Sequence, residues 1–137
     1  MNIHALKDLY PEINLSAIEI NKKAADRLLE IDDLIVHQGS VLDIHTRKLY
    51  DLVFSVGVLI HINPNDLENV YQNIYFSSSR YILIAEYYSP KPTSVLYRGY
   101  ENKLFKRDFA GELLDKYVDL KLIDYGCLLY TSPSPRD

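Results

Sequence analysis

The sequence predicts an α/β fold built on a mostly parallel sheet with helices on both faces. Three observations predict it. Short apolar runs alternate along the chain with segments whose apolar residues recur at helical spacing, which is the pattern of βαβ units. The run Asp51–Val58 is apolar almost throughout, as a strand covered on both sides should be. Asn63, Pro64 and Asp66 together make a helix start: a capping amide, a proline at the first helical position and an acid in the first turn.

The elements follow in order. Ile3–Leu9 reads as the end of a helix, stopped near Pro11. Leu15–Ile20 is a short strand. Lys22–Ile31 places Ala, Leu and Ile on one helical face and charges on the other. Leu34–His37 is a second strand, ended by Gly39, and Asp51–Val58 is a third. The helix opened by Asn63 carries Leu67, Val70, Tyr71, Ile74 and Tyr75 on one face. Tyr81–Glu86 is a fourth strand, after which Pro90 and Pro92 force a loop. Lys103–Asp108 reads as a lead-in, with Asp108 as N-cap of a helix over Phe109–Tyr117. Leu120–Tyr125 is a fifth strand.

Composition narrows the function classes. The chain has 137 residues, 47% hydrophobic and 25% charged, the balance of one ordinary globular domain. A net charge of −4 gives no electrostatic footprint for nucleic acid or an anionic membrane. No apolar run approaches the ~20 residues of a spanning helix, and no signal-peptide pattern follows Met1, so a cytoplasmic location is expected. Residues 1–126 form the expected domain, with no repeat or linker inside it. Cys127–Asp137 resembles the translation of a sequencing adapter and is expected to be a non-native tail. Setting it aside removes the single cysteine, and with it thiolate catalysis and cysteine metal sites. The histidines His4, His37, His45 and His61 form no helical metal pair, so no metal is expected.

In an open parallel sheet the ligand lies beyond the carboxyl ends of the strands. The first strand ends at Glu19 and Ile20, where a carboxylate can accept both hydroxyls of a ribose. The second ends at Gly39, Ser40 and Val41, which offer close backbone approach, a polar contact and an apolar cover for a flat base. The third ends at Ser55, Val56 and Gly57 and leads to His61. The fourth ends at Glu86. Each has a plainer reading as a turn or a solvated residue. Their convergence on one sheet edge is what favours a site.

These residues resemble the class I methyltransferases that use S-adenosylmethionine, a Rossmann-like fold. Glu19 matches the acid closing that family's second strand, and Gly39-Ser40-Val41 its adenine-side loop, although aspartate often stands where Ser40 does. Asp51–Ile62 matches its fourth-strand motif, an Asp-led apolar strand followed by Gly-Val-Leu-x-His. Gly57–Pro64 (GVLIHINP), Tyr81–Pro90 (YILIAEYYSP) and Tyr97–Tyr117 (YRGYENKLFKRDFAGELLDKY) further resemble the methylases associated with pseudaminic acid biosynthesis, a bacterial surface-sugar pathway.

The resemblance implies a methyltransferase acting on a small polar or sugar-type acceptor. Glu19, Ile20, Gly39, Ser40, Val41, Ser55, Val56 and Gly57 would bind S-adenosylmethionine, with His61 as the base. Glu86, Tyr88, Tyr97, Arg98 and Arg107, with Tyr87 and Lys106 nearby, would line an anionic-substrate site. It also implies a first strand with a Gly-rich loop, which would fall at or before Met1, and a last strand after Gly126. Neither is in this sequence, so the chain is expected to be a fragment, inactive by itself and prone to aggregate through two unpaired edges.

Two alternatives stay open. A dehydrogenase or epimerase would share the acid after the second strand, but Tyr87…Lys91 contains Pro90 and Tyr117…Lys121 runs out of its helix. A non-catalytic nucleotide-binding module is the other. A hydrolase is disfavoured by the absence of Gly-x-Ser-x-Gly.

Overall fold

A computed structural model describes residues 3–45 and 47–127. The expected tail, apart from Cys127, lies outside the described residues. The elements run α1 (Ile3–Leu9), β1 (Leu15–Glu19), α2 (Lys22–Leu28), β2 (Leu34–Gln38), β3 (Tyr50–Val56), α3 (Leu67–Ser77), β4 (Ser78–Ala85), β5 (Thr93–Tyr97), β6 (Tyr100–Lys106) and α4 (Phe109–Lys116). Short 3-10 turns occupy Val41–Asp43, Leu59–His61 and Pro64–Asp66. This is a small mixed α/β fold.

Local chemistry sets the helix starts. Asn21 Oδ1 accepts from the Ala24 amide at 3.2 Å and opens α2. Asn63 caps the turn at Pro64 by accepting from the Asn65 amide at 3.0 Å, and α3 follows at Leu67. Asp108 accepts from the Gly111 amide at 2.9 Å and opens α4, the cap expected from the sequence.

The strands form three two-stranded sheets rather than one. β1 and β2 pair in parallel from Leu15↔Leu34 to Glu19↔Gln38. β3 and β4 pair in parallel through Leu52↔Tyr81 to Val56↔Ala85. β5 and β6 form an antiparallel hairpin that closes at Tyr97↔Tyr100. The single mostly parallel sheet is therefore corrected to two parallel pairs and a hairpin. The hairpin replaces the loop expected after the two prolines.

The core lies on one face of the β3–β4 pair. Leu59, Ile60, Leu67, Val70, Tyr71, Ile74, Leu104, Phe109 and Leu113 are buried together, with Val53, Ile82 and Ile84 of the pair packed against them. The opposite face carries Leu52, Val56, Tyr81 and Leu83 in exposed positions. Helices on both faces are thus not found at this pair. Strand alternation explains the split, since successive side chains point to opposite sides. At the other pair the buried apolar side chains are Leu15 of β1 and Ala25 of α2.

The fifth strand is also corrected. Residues 118–127 form no strand, and Leu122, Ile123 and Tyr125 are exposed. An apolar segment becomes a strand only when a sheet edge takes its backbone groups, and no described strand pairs with this one. No described helix is long and apolar enough to cross a membrane.

The asymmetry of the β3–β4 pair is measurable by urea unfolding. Leu59→Ala should cost about 2–5 kcal/mol, because it opens a cavity in the core. Leu83→Ala should cost less than about 1 kcal/mol, since its side chain already faces water. Equal costs would mean that the outer face is covered.

Candidate functional site

Glu86, just past the end of β4, organises the loop that follows β3. Its Oε1 accepts from the Ser55 hydroxyl at 2.6 Å and from the Val58 and Leu59 amides at 3.0 and 3.1 Å. Its Oε2 accepts from the Ile60 amide at 3.4 Å. Those amides open the Leu59–His61 turn, where N–H groups lack partners within the turn itself. Gly57, at φ 66°, supplies the left-handed backbone that lets the chain turn out of β3, and its amide donates to Ala85 O at 3.1 Å. The structure therefore gives Glu86 to this loop.

The loop delivers His61 to the hairpin. His61 Nδ1 lies 3.0 Å from the carbonyl oxygen of Lys103. A carbonyl only accepts, so Nδ1 carries the hydrogen and Nε2 of the neutral ring is left as an acceptor. The imidazole sits 5.4 Å from the Tyr97 ring, tilted by 58°. Arg98 reaches over the same tyrosine, its guanidinium carbon 5.2 Å from the ring centroid. His61, Tyr97, Arg98, Tyr100 and Lys103 line a cleft of about 390 Å³. Three sequence-predicted residues, His61, Tyr97 and Arg98, thus meet in one place.

Tyr100 and Lys103 were not singled out in the sequence. Tyr100 had a signal, since Arg98-Gly99 between two tyrosines is a two-residue hairpin connection. Lys103 had none, because it meets His61 through a backbone oxygen.

The remaining predicted substrate residues lie apart from that cleft's lining. Arg107 Nε donates to Glu112 Oε1 at 2.7 Å, and Glu112 Oε2 accepts from the Tyr71 hydroxyl at 2.7 Å. Tyr88 forms an isolated bridge to Arg107 and keeps an exposed ring. Lys106 reaches over the Tyr87 ring at 5.5 Å.

The predicted cofactor residues fall at the carboxyl ends of both parallel pairs. Glu19 ends β1 beside Gln38 of β2, and the Gly39 amide donates to its carbonyl at 3.1 Å. Its Oε1 accepts from the Asn21 amide at 2.7 Å, which leaves Oε2 without a hydrogen bond among the described residues. Ile20 is exposed beside it. Ser40 caps the Val41–Asp43 turn by accepting from the Leu42 amide at 3.1 Å. Asn73 of α3 donates to Val41 O at 2.8 Å and Asn69 to Leu42 O at 3.2 Å, so α3 fixes this loop. Ser55, Val56 and Gly57 lie at the end of the second pair.

No group of His, Cys, Asp and Glu among the described residues is arranged to hold a metal ion. No family model, curated protein or solved structure matches the chain.

Two measurements check these networks. Glu86→Ala leaves a hydroxyl and several amides of the loop without their acceptor and should cost about 1–3 kcal/mol in urea unfolding. An unchanged midpoint would show that the loop is held by its apolar residues alone. Burial and the hydrogen bond to Glu112 hold the Tyr71 hydroxyl well above the usual tyrosine range. In the unfolded chain it ionises near 10.0. Its contribution is therefore complete below that pH and is lost above it, by up to about 1.4 kcal/mol per pH unit. Tyr71→Phe should remove that part of the alkaline slope in unfolding measured between pH 9 and 11 (~1–2 units around the tyrosine value).

Proposed function

We propose that the chain is part of a Rossmann-like methyltransferase that uses S-adenosylmethionine and methylates a hydroxyl of a small polar or sugar-type acceptor. The observation that carries the reading is His61. Its Nδ1 is tied to a backbone carbonyl while the ring lines a cleft, so Nε2 is free to take a proton. The strand pairing adds support. The resemblance places one more strand, with its Gly-rich turn, between β1 and β3, and each of these strands pairs with only one described neighbour. On this reading the protein works in the cytoplasm on a small molecule in surface-glycan synthesis, with no nucleic-acid or membrane partner.

The residues at the strand ends fit the nucleoside half of the cofactor. Glu19 keeps a carboxylate oxygen for ribose hydroxyls, and Ile20 and Val41 offer apolar cover for a base. Ser40 and the Ser55–Gly57 segment would border it. When bound, S-adenosylmethionine supplies an activated methyl group on a sulfonium. The protein's part is alignment and removal of the acceptor's proton. His61 takes that proton at Nε2, and the Lys103 carbonyl steadies the imidazolium that forms. Arg98 and Tyr97 hold the acceptor. Glu86 contributes by fixing the loop that carries His61.

A dehydrogenase or epimerase, or a non-catalytic nucleotide-binding module, is the competing reading. Calorimetry with S-adenosylmethionine and with NAD, on a chain that includes the Gly-rich strand, separates them. The expected result is binding of the former, weakened about tenfold or more by Glu19→Ala. Binding of NAD alone would favour the dehydrogenase. In a methyl-transfer assay of a chain that includes the Gly-rich strand, His61→Ala should lower turnover ~10²-fold. An unchanged rate would remove His61 from the chemistry.

A further inference from the structure

We propose that the cleft lined by His61, Tyr97, Arg98, Tyr100 and Lys103 binds a small hydroxy acid, its carboxylate on Arg98 and Lys103 and its hydroxyl donating to Nε2 of His61. The lining of the cleft carries the argument. It contains an arginine, a lysine, one histidine and two tyrosines, and no carboxylate. Among the described residues neither Arg98 nor Lys103 has an ion-pair partner. They leave a place for a negative charge that the described protein does not fill.

The backbone points the same way. Arg98 has φ 51° and Gly99 φ 80°, so both central residues of the turn are left-handed. Asparagine, aspartate or glycine is the usual first residue of such a turn, and an arginine there carries strain. An arginine at the tip is explained if its guanidinium is needed, since it recognises a carboxylate through paired donors.

The hydroxyl follows from the histidine. Nδ1 is committed as a donor to Lys103 O, so Nε2 of the neutral ring is an acceptor. A carboxylate has no hydrogen to give it, and a hydroxyl does. The Tyr97 and Tyr100 rings supply the apolar walls that small-ligand clefts commonly have. The inference deepens the transferase reading, on which that hydroxyl is the group to be methylated, but the binding needs no cofactor.

Titration of the chain with mandelate tests it, followed by calorimetry and by the imidazole resonances of His61. Phenylacetate lacks the hydroxyl, and 1-phenylethane-1,2-diol lacks the carboxylate. Mandelate should bind saturably, shift the His61 resonances, and bind about tenfold more tightly than either probe. Arg98→Gly suits the left-handed backbone, so it keeps the turn while mandelate affinity falls by about tenfold. Lys103→Gln should also weaken mandelate. The proposal is overturned if mandelate does not saturate, if the three probes bind alike, or if Arg98→Gly leaves the affinity unchanged. Titration with S-adenosylmethionine in parallel, on a chain that includes the Gly-rich strand, separates the two readings. Its failure with mandelate binding intact sinks the transferase alone, and the reverse result sinks the hydroxy-acid site alone.

Discussion

The carboxylate of Glu86 joins the ends of β3 and β4 into one unit. Parallel strands are held side by side by their ladder, but nothing in a ladder determines what the chain does on leaving it. Here the chain leaves β3 through Gly57 and immediately exposes the amides of Val58, Leu59 and Ile60. Glu86 stands at the end of the adjacent strand and accepts from all three, and from Ser55. That contact decides which way the next residues face. Leu59 and Ile60 turn into the core and His61 turns out to the cleft. Packing and site therefore share one anchor.

The hairpin is attached to the rest of the fold in two ways. Leu104 is buried in the same core as Leu59, and Val95 and Tyr97 pack against it. Next to Leu104, the hydrogen bond from His61 Nδ1 to Lys103 O links the hairpin to the loop that Glu86 holds. Antiparallel pairs with one wet face tolerate such a placement, since only alternate residues need cover. The result sets a strained, charged turn beside an imidazole on a supported scaffold, which keeps a site more exact than a free loop does.

The helices and the parallel strands were legible because their signals are local. Capping residues marked α3 and α4, and apolar runs marked β1 to β4. The hairpin was not legible. Two prolines ahead of Thr93 masked it, and its turn carries arginine where asparagine or glycine is usual. The fifth strand failed for the opposite reason: Leu120–Tyr125 has the composition of a strand, but strand formation depends on a partner that no local pattern reports. Site residues divide in the same way. His61, Tyr97 and Arg98 stood out by type. Lys103 meets His61 through its carbonyl, which every residue has. Arg107 looked equivalent to Arg98, and only the fold showed that Glu112 holds it.

One tension between sequence and structure remains informative. β3 and β4 are apolar on both faces, yet one face is covered. Leu52, Val56, Tyr81 and Leu83 stay exposed on the other. A sequence carries such side chains at a cost in solubility, because exposed apolar surface invites association. Polar residues at those positions would satisfy a sheet with one wet face equally well. The pattern is of apolar residues on a face that no described element covers. It agrees with the near-continuous apolar run from Leu52 to Val58, and it sets β3 and β4 apart from β6, where Glu101 and Lys103 face water in a strand that buries Leu104. Within one chain, strands apolar on both faces thus stand beside a strand with exposed charges.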